Sequence, residues 1–380
     1  MLIVRETGDS RVVTRGRIRP CIEDDLPGVV DLYLKVFPQG RQFSRTKLHA
    51  RFNKVLLQNP WYDASIPSLV YEKDDKVIGF LGVVVRPMLL GAEVIRVAVC
   101  NHFMVDPSAR WTKAGIELLH KHFSGQQDLS IAEAGDASRK LWEAVGGRTS
   151  LGYSLYWTRL LCPARYSLYQ LEKKAMPRPL VWLIRPICSA VDALAVRIKQ
   201  NPLYQIAQPP EEELSEGDLL ACLARFPRLA AFRPHYDAYS LNWLLTLLAE
   251  KQLLGTLRKV AVRGSQREII GWYIYYLKAG GVSTVLQMSA TQGHLDRVFQ
   301  HLCYNAWRHG SIALTGRLEP RFTKDLCDNH CLLHWRSWML VHSRDSKILE
   351  ALDNKETFFS TLEGESWISV EGELPDNIPS

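Results

Sequence analysis

The order of apolar runs between residues 68 and 134 constrains the fold of this chain more than any other feature. Three runs are rich in β-branched residues, SLVYEK, VIGFLGVVVRPMLL and VIRVAVCNHFMV, and they are separated by Asp74-Asp75 and by Gly91. Runs of this length with turn residues between them are typical of strands joined by hairpins. The segment therefore predicts an antiparallel meander of three strands.

A loop, a helix and a further strand follow the meander. The segment DPSARWTKAGIELLHKHF begins with Asp106 and Pro107. Apolar residues then repeat on one helical face, at Ile116, Leu119 and Phe123. The run DLSIAEA predicts the next strand, and a strand reached through a helix usually runs parallel to the one before it. We therefore expect one parallel pair within a mostly antiparallel sheet.

Further elements complete the first half of the chain. Residues 18–37, IRPCIEDDLPGVVDLYLKVF, predict a short strand followed by a helix with apolar side chains at helical spacing. The segment DASRKLWEAVGG predicts a helix that ends at Gly146 and Gly147. The run SLGYSLYWTRLL predicts a last strand, which we expect to close the first domain.

The second half of the chain repeats this order of elements. Helical patterns (DLLACLARF, SLNWLLTLLAE), strands (KVAVRG, IIGWYIYYLKA, VSTVLQMSA), a helix (LDRVFQHLCYNAWRHG), a strand (SIALTG) and a helix (RFTKDLCDNHCLLHW) follow one another. The 380 residues also exceed the size at which a single core stops growing, about 250–300 residues. We therefore expect an α/β fold with two domains, residues 1–164 and 211–380, joined by a helical linker at 165–210. Each domain should hold a mostly antiparallel sheet with a central parallel pair and flanking helices.

The composition is that of an ordinary globular protein. Hydrophobic residues make up 47% and charged residues 23% of the chain, which excludes extensive disorder and a collagen-like repeat. The eight cysteines lie far apart, and residues 1–19 are charged and Thr-rich, unlike a secretory signal. We therefore expect free thiols and a cytoplasmic protein. The net charge of +7 favours an anionic partner, such as a CoA phosphate, a nucleic acid or a lipid surface, without choosing among them.

An apolar stretch in the linker, LVWLIRPICSAVDALAV, has two interpretations. Arg185, Pro186 and Asp192 interrupt it, so it is too polar to span a bilayer. It is either a connecting helix packed against both domains or a helix that rests on the inner face of an anionic membrane through residues 173–199. Its basic flanking residues are Lys173, Lys174, Arg178, Arg197 and Lys199.

The junction between the meander and its helix resembles a known motif. The segment FMVDPSARWTKAGIELL is similar to motif A of the GNAT (N-acetyltransferase) superfamily, in which a strand ending in V-x-P precedes an R/Q-x-x-G-x-G/A loop at a helix N-terminus. Arg110, Lys113 and Gly115 fall on the anchor positions, whereas Trp111 and Lys113 replace small residues. Such a loop holds a pyrophosphate through backbone N–H groups at the positive end of the helix.

A second segment, DASRKLWEAVGG, resembles the A-x-x-L-Y-x-x-x-G-F segment of the same superfamily. Leu141 and Gly146 stand at the matching places, and Trp142 stands where many members carry a tyrosine. That tyrosine often protonates the departing thiolate, a step for which an indole N–H is too weak an acid. Another group or water must then protonate the thiolate. The two segments fit one GNAT domain over about residues 16–162.

The resemblance implies an acyl-CoA co-substrate, most simply acetyl-CoA, along the last strand of the meander and the loop after it. The residues that it assigns to the cofactor are Phe103, Met104, Val105, Arg110, Trp111, Thr112, Lys113, Ala114 and Gly115. His102 is a candidate general base because the pKa of a free imidazole lies near neutrality, and Glu133 is the other candidate. For each, a structural polar role is the alternative. Cys100 is a weaker candidate, because a buried cysteine usually acts as a small hydrophobe.

Four potential metal ligands occur in the second half. They are spaced at i, i+3, i+4 and i+7, which places them on one face of a predicted helix: Cys327, His330, Cys331 and His334. One straight helix cannot wrap four ligands tetrahedrally around zinc. We therefore expect a packed helix face and no metal.

The resemblance implies direct transfer of an acyl group from CoA to an amine. The stretch RPHYDAYSLNW is similar to a segment of tandem GNAT-like proteins from surface-polysaccharide gene clusters, which favours a small or glycan-linked acceptor, polysaccharide biosynthesis and no DNA partner. The second half has no R-x-x-G-x-G loop, so we expect a degenerate copy that shapes or binds the acceptor. The alternatives are a GNAT-like binding or scaffold protein and a Fem-type transferase that uses aminoacyl-tRNA.

Overall fold

The structure, a computed structural model, describes residues 16–110, 112–174, 176–198, 201–225, 232–353 and 357–368. The strands are, in chain order, β1 (Arg17–Pro20), β2 (Leu69–Lys73), β3 (Lys76–Leu90), β4 (Glu93–Val105), β5 (Leu129–Ala134), β6 (Arg148–Ser150), β7 (Leu155–Leu160), β8 (Glu212–Glu213), β9 (Phe232–Pro234), β10 (Thr256–Arg263), β11 (Ile269–Leu277), β12 (Val282–Ala290), β13 (Ala313–Arg317), β14 (Leu332–Trp335) and β15 (Trp338–His342). The helices are α1 (Leu26–Val36), α2 (Arg45–Phe52), α3 (Ala114–Phe123), α4 (Asp136–Ala144), α5 (Pro163–Lys173), α6 (Arg178–Ala195), α7 (Glu216–Arg225), α8 (Ala238–Ala249), α9 (Leu295–Arg308), α10 (Thr323–Asp328) and α11 (Ser346–Asp353). In these ranges no helix has both the length and the hydropathy needed to cross a bilayer.

The three runs of the predicted meander form β2, β3 and β4. The hairpin between β2 and β3 turns on two residues, Asp74 and Asp75, with φ angles of 50° and 57°. Two consecutive left-handed residues match the twist of the flanking strands, and aspartate tolerates that conformation. Gly91, with φ of 61°, supplies the turn between β3 and β4. The meander prediction is confirmed.

The strands form two sheets. The first has the order β1-β2-β3-β4-β5-β15-β6, with β9 paired to β3 off that path. The second has the order β14-β7-β13-β12-β11-β10-β8. Each sheet contains a parallel pair, β4 with β5 and β12 with β13, whose strands are connected through α3 and α9 respectively. The predicted α/β class, with two mostly antiparallel sheets that each hold a central parallel pair, is confirmed.

The two sheets exchange a strand. β15 lies between β5 and β6 of the first sheet, and β7 lies between β13 and β14 of the second. The run SLGYSLYWTRLL does form a strand, β7, but the expectation that it closes the first domain is wrong. Trp157 of β7 is buried in the core of the second sheet, 5.6 Å from Phe299 between ring centroids. Apolar alternation predicts a strand but does not encode which sheet supplies its neighbours.

One buried apolar cluster joins both sheets. It includes Val99 and Ile131 of the first sheet and Ile274 and Leu286 of the second. Phe358, from the C-terminal segment, is buried in the same cluster. Because this cluster covers a face of each sheet, each half stabilises the other.

The domain ranges 1–164, 165–210 and 211–380 stay a prediction. Helix α6 and most of α5 lie inside the predicted linker.

The segment RFTKDLCDNHCLLHW does not form the single helix that its Cys/His spacing suggests. Helix α10 ends at Asp328, His330 adopts a φ of 57°, and β14 follows. A left-handed residue at this point ends the helix. Cys327 is exposed, whereas His334 Nε2 lies 3.0 Å from Thr158 Oγ1 of β7. The four side chains do not share one helical face, so that expectation is wrong.

The cysteines are free thiols, as predicted. All eight lie within the described residues, and none is paired in a disulfide there. Residues 1–15, which make up most of the charged, Thr-rich N-terminal segment, lie outside the described residues.

Candidate active site

The strands β4 and β5 separate halfway along their length. They pair only over residues 97–99 and 129–131, and beyond that point β5 pairs with β15 on its other side. An irregularity in the β3–β4 ladder places His102 and Phe103 opposite Leu81, and His102 has a φ of 44°. Such a bulge bends its strand and turns its backbone. The bend in β4 therefore lies just beyond the point where the two strands separate.

A short ordered loop connects β4 to α3. Asp106 ends the strand and accepts hydrogen bonds from the backbone N–H and the hydroxyl of Ser108, at 2.9 and 2.7 Å. These bonds, and Lys35 Nζ at 2.9 Å, lower the pKa of Asp106 to about 2. The carboxylate is therefore charged at all physiological pH values, and it fixes the direction in which the chain leaves β4.

The first turn of α3 has the features of an anion site. The Ala114 N–H donates to the Thr112 hydroxyl at 3.3 Å, and the N-cap residue Lys113 contributes no side-chain acceptor to the N–H groups that follow. Arg110 and Lys113 are exposed beside it, and neither forms an ion pair with any residue that the structure describes. Positive side chains beside the positive end of a helix dipole attract anions.

Eight of the nine predicted cofactor residues are described by the structure, and they divide into three groups. A Cβ added at Gly115 would lie 3.3 Å from Phe103 Cζ and 3.5 Å from Val105 Cγ2, so these three residues meet where α3 crosses the end of β4. Thr112 is exposed with Arg110 and Lys113, and its hydroxyl donates to the Ala109 carbonyl at 2.7 Å. The side chains of Met104 and Ala114 are buried in apolar clusters. Trp111 lies outside the described residues.

His102 lies on the face of β4 that is covered by α1 and α2. Its ring makes edge contacts with Tyr33 and Phe52, at centroid distances of 5.7 and 5.1 Å. Its Nδ1 lies 2.9 Å from Asn101 Oδ1. The ring is half-buried, and its contact with Asn101 fixes its orientation.

Glu133 lies beyond the paired part of β5 and contacts the second sheet. Its carboxylate accepts hydrogen bonds from Arg317 of β13, from Tyr156 Oη of β7 at 2.8 Å and from Ser337 Oγ at 3.3 Å. The Arg317 side chain is 0% exposed, and burial lowers the pKa of its guanidinium to about 10. Glu133 is thus the counterion of the buried Arg317 side chain.

A residue that the sequence reasoning missed lies beside Glu133. The Glu365 carboxylate accepts the backbone N–H of Glu133 at 2.5 Å, which places it at the opening between β4 and β5. It comes from residues 357–368, which pass between the two sheets. The stretch TLEGESW matches no motif, and its only signal is a pair of acidic residues close to the buried Trp367.

Buried polar contacts hold this C-terminal segment in place. Arg86 of β3, stacked at 4.4 Å on the Trp61 ring, donates to the Leu362 carbonyl at 3.2 Å and to Tyr236 Oη at 2.5 Å. Tyr236 in turn donates to Glu363 Oε1 at 2.8 Å, and burial raises its pKa well above the usual range. The segment is therefore tied by charge-assisted hydrogen bonds and is not held by apolar contact alone.

Two further residues of interest have packing roles. Cys100 Sγ lies 3.2 Å from His122 Nε2, and burial raises the pKa of this thiol while it lowers the pKa of His122 to about 3. Both groups are therefore neutral near pH 7, and neither is poised to accept a proton from a substrate. The indole N–H of Trp142 donates to the Val341 carbonyl of β15 at 3.0 Å, which fixes the exchanged strand to α4.

Comparison with known proteins identifies the fold. No protein family model matches this chain, and no curated protein sequence matches it. A conserved protein of unknown function from Enterococcus faecalis V583, described as a probable N-acyltransferase, has a TM-score of 0.56 and 12% identity over 87% of this chain and 73% of its own. A GCN5-related N-acetyltransferase from Anabaena variabilis has a TM-score of 0.54 and 15% identity over 86% and 72%. The chain therefore has the fold of GCN5-related N-acetyltransferases (GNAT).

Proposed function

We propose that this protein is an acyl-CoA-dependent N-acyltransferase whose donor, most simply acetyl-CoA, binds at the opening between β4 and β5. One observation carries the proposal. β4 separates from β5 beyond Val99 and then packs against the first turn of α3, whose N-cap residue gives no side-chain cap, beside the exposed cations Arg110 and Lys113. An extended thioester that carries a pyrophosphate needs an open strand edge at one end and an anion site at the other.

The residues present fit that donor. The N–H groups of the first turn of α3 and the two cations complement the pyrophosphate charge, and the absence of a side chain at Gly115 lets α3 pack closely on Phe103 and Val105. Phe103 and Val105 provide an apolar surface next to it. Backbone groups of β4 beyond Val99 would bond the pantetheine amides and polarise the thioester carbonyl.

The reaction that we propose is a direct transfer. The acceptor amine attacks the thioester carbonyl carbon, the C–S bond breaks, and the CoA thiolate leaves. The amine proton passes to a group at the opening, for which Glu365 joins Glu133 and His102 as a candidate. We assign protonation of the thiolate to water, because the Trp142 N–H is already donated to Val341.

We propose that the second sheet belongs to a degenerate GNAT-like unit in tandem with the first, which shapes the acceptor site. Four residues, 291–294, join β12 to α9, whereas eight, 106–113, join β4 to α3. The residues before and at the start of α9, 291–296, read TQGHLD and lack the R-x-x-G-x-G pattern. The acceptor is a small or glycan-linked amine that approaches from the side of residues 357–368.

One observation favours a rival function, a GNAT-like binding protein without catalysis. Residues 357–368 lie between the sheets next to Glu133, on the path that an acceptor amine would take to the thioester. A catalytic protein must therefore move this segment or leave a route past it. A non-catalytic protein has no such requirement.

Calorimetric titration with acetyl-CoA and with free CoA at two salt concentrations tests the donor site. We expect micromolar binding that weakens with salt, and a loss of at least about tenfold in the Arg110→Glu/Lys113→Glu variant. Arg297→Glu/Arg308→Glu is the matched control, because both arginines are exposed on α9 and the pair receives the same change of charge. Equal losses in both variants would contradict the site.

The other outcomes separate the rival functions. Wild-type protein that does not bind CoA, but binds tRNA with an affinity that falls strongly as the salt concentration rises, would support the Fem-type transferase. Wild-type protein that binds neither would support a scaffold role. Where CoA does bind, release of free thiol in the presence of amines and amino sugars measures the transfer, and the pH profile of Glu365→Gln identifies the base.

A further inference from the structure

Helix α6 exposes a continuous apolar stripe. Its members recur at intervals of three or four residues and are 42–63% exposed: Leu180, Leu183, Ile187, Val191, Leu194 and, just after the helix, Ile198. Trp182 on the same helix is 78% exposed. Single exposed hydrophobic residues are normal, but a row of six along one helix face marks an interaction surface.

The other face of α6 is firmly attached to the protein. Val181 and Val196 are buried. The buried Asp192 carboxylate accepts the backbone N–H groups of Ala164 and Arg165 at 2.9 and 3.0 Å, so it caps the start of α5. The helix therefore cannot roll to bury its apolar stripe without breaking this cap.

The charges around the stripe are mostly positive. Between residues 173 and 198 the exposed charged side chains that the structure describes are Lys173, Lys174, Arg185 and Arg197, and one exposed acid, Glu172, directly precedes them. The only acid in that range, Asp192, is buried and paired with Arg165 at 3.2 Å. Cations that flank an apolar helix face complement a surface that is apolar inside and anionic at its boundary.

A cavity opens on the same side of the protein. Its volume is about 620 Å³, and it lies between α5, α6 and the turn at Gly280. Trp182, Leu183 and Pro186 line it together with Arg165, Arg185 and Glu172. The apolar stripe thus continues into a recess that has apolar walls and holds two arginines against one glutamate, which suits a lipid chain and its headgroup phosphate.

We propose that α6 docks this protein on an anionic lipid bilayer, with the apolar stripe in the interface and the four cations on headgroup phosphates. The charges argue against a second copy of the chain as the occupant. In a twofold dimer the same patch meets itself, so Arg185 and Arg197 would face the identical cations of the other copy. This docking is independent of the proposed acyl-CoA site, which lies on different elements.

Flotation with lipid vesicles tests the proposal. We expect the full-length protein to float with vesicles of 7:3 phosphatidylcholine to phosphatidylglycerol, with about tenfold weaker partitioning on phosphatidylcholine alone. The Leu183→Gln/Ile187→Gln/Leu194→Gln variant should lose binding by at least about tenfold, because these side chains are exposed and carry the apolar contact. The control, Leu151→Gln/Leu253→Gln/Leu332→Gln, changes three residues of similar exposure elsewhere and should bind like wild type.

Three results would overturn the proposal. The first is wild-type protein that fails to bind anionic vesicles, and the second is equal loss in the stripe variant and its control. The third is a dimer, seen by sedimentation equilibrium, that the stripe variant abolishes, which would assign the stripe to a second copy. Circular dichroism and CoA affinity of the stripe variant, both expected to match wild type, exclude a folding defect as the cause of lost binding.

Discussion

The openings in the two sheets lie at corresponding places, but they differ in the loop that leaves them and in the charge they carry. In the first sheet β4 and β5 separate beyond Val99 and Ile131, and a loop of eight residues leads to α3. In the second sheet β12 and β13 separate beyond Val285 and Gly316, and a loop of four residues leads to α9. Of the two, only the first loop carries exposed arginine and lysine side chains, which an anion site requires.

The charges at the two openings are opposite and neutralise each other. Glu133 lies two residues past the paired part of β5, and Arg317 lies one residue past the paired part of β13. Each therefore lies at the end of the second strand of its parallel pair, and the two side chains form an ion pair between the sheets. Arg317 at the second opening is therefore the counterion of Glu133 at the first.

Breaking that ion pair should give the largest effect. Glu133→Gln removes the carboxylate that is hydrogen-bonded to the buried Arg317 guanidinium and leaves only the more distant charges of Glu365, Glu363 and Glu319, so we expect the free energy of unfolding to fall by about 3 kcal/mol in urea denaturation. Glu133→Gln/Arg317→Met should cost less than the sum of its single changes, because the buried charge is gone. The control is Asp353→Asn at the exposed pair with Arg148, where a loss under about 1 kcal/mol is expected. Additive single changes would show that the openings are not coupled.

The carboxylates that follow β5 and β13 should also differ in their response to pH. Asp136 is exposed after β5, whereas Glu319 is buried after β13, and burial raises the pKa of Glu319 to about 7 despite its ion pair with Arg321. Because the folded pKa exceeds the unfolded value of 4.5, this group favours folding below pH 4.5 and loses that contribution as the pH rises through 7. We expect the loss to reach about 3 kcal/mol.

Urea denaturation of wild type and Glu319→Gln at pH 5 and pH 8 measures this difference. The glutamine side chain does not ionise, so the variant should lose less stability between the two pH values than wild type. A Glu319→Gln variant with wild-type pH dependence would contradict the raised pKa.

Local patterns predicted the elements, but they did not predict how the elements pair. Asp74-Asp75 and Gly91 marked the hairpins correctly because turn chemistry is encoded in adjacent residues. The exchange of β7 and β15 was missed, because each strand has the same apolar alternation in either sheet. The Cys327-to-His334 spacing suggested a helix that the left-handed His330 interrupts.

The sequence brought together only those residues of the candidate site that are close along the chain. Phe103, Val105 and Gly115 are close in sequence, and they meet in space. Glu365 reaches Glu133 across 232 residues, so no spacing rule connects them. The partner of Glu133 in the second sheet, Arg317, was missed for the same reason.

A change at the start of α3 tests which opening binds the donor. Gly115→Asp adds negative charge and bulk where we propose the pyrophosphate, so CoA affinity should fall by at least about tenfold, or about 1.4 kcal/mol. Gly115→Ala adds bulk without charge, since the new Cβ would lie 3.3 Å from Phe103 Cζ. Comparing the two variants therefore separates the effect of charge from the effect of bulk. Gly293→Asp, before α9, is the matched change in the second half and should leave CoA affinity as it is. Equal affinity in Gly115→Asp and wild type would remove the donor from this opening.

The smallest expected effect concerns the strand that the second half contributes to the first sheet. Trp142→Phe removes the N–H that donates to the Val341 carbonyl of β15, which we expect to lower the free energy of unfolding by about 1–2 kcal/mol. CoA affinity should not change, because the indole contacts the exchanged strand and not the loop after β4. Trp182→Phe, at a tryptophan that is exposed on α6, should leave the stability within about 0.5 kcal/mol of wild type. If Trp142→Phe instead altered the pH profile of the proposed acyl transfer with no loss of stability, the indole would belong to the reaction, and its contact with β15 would not be its only role.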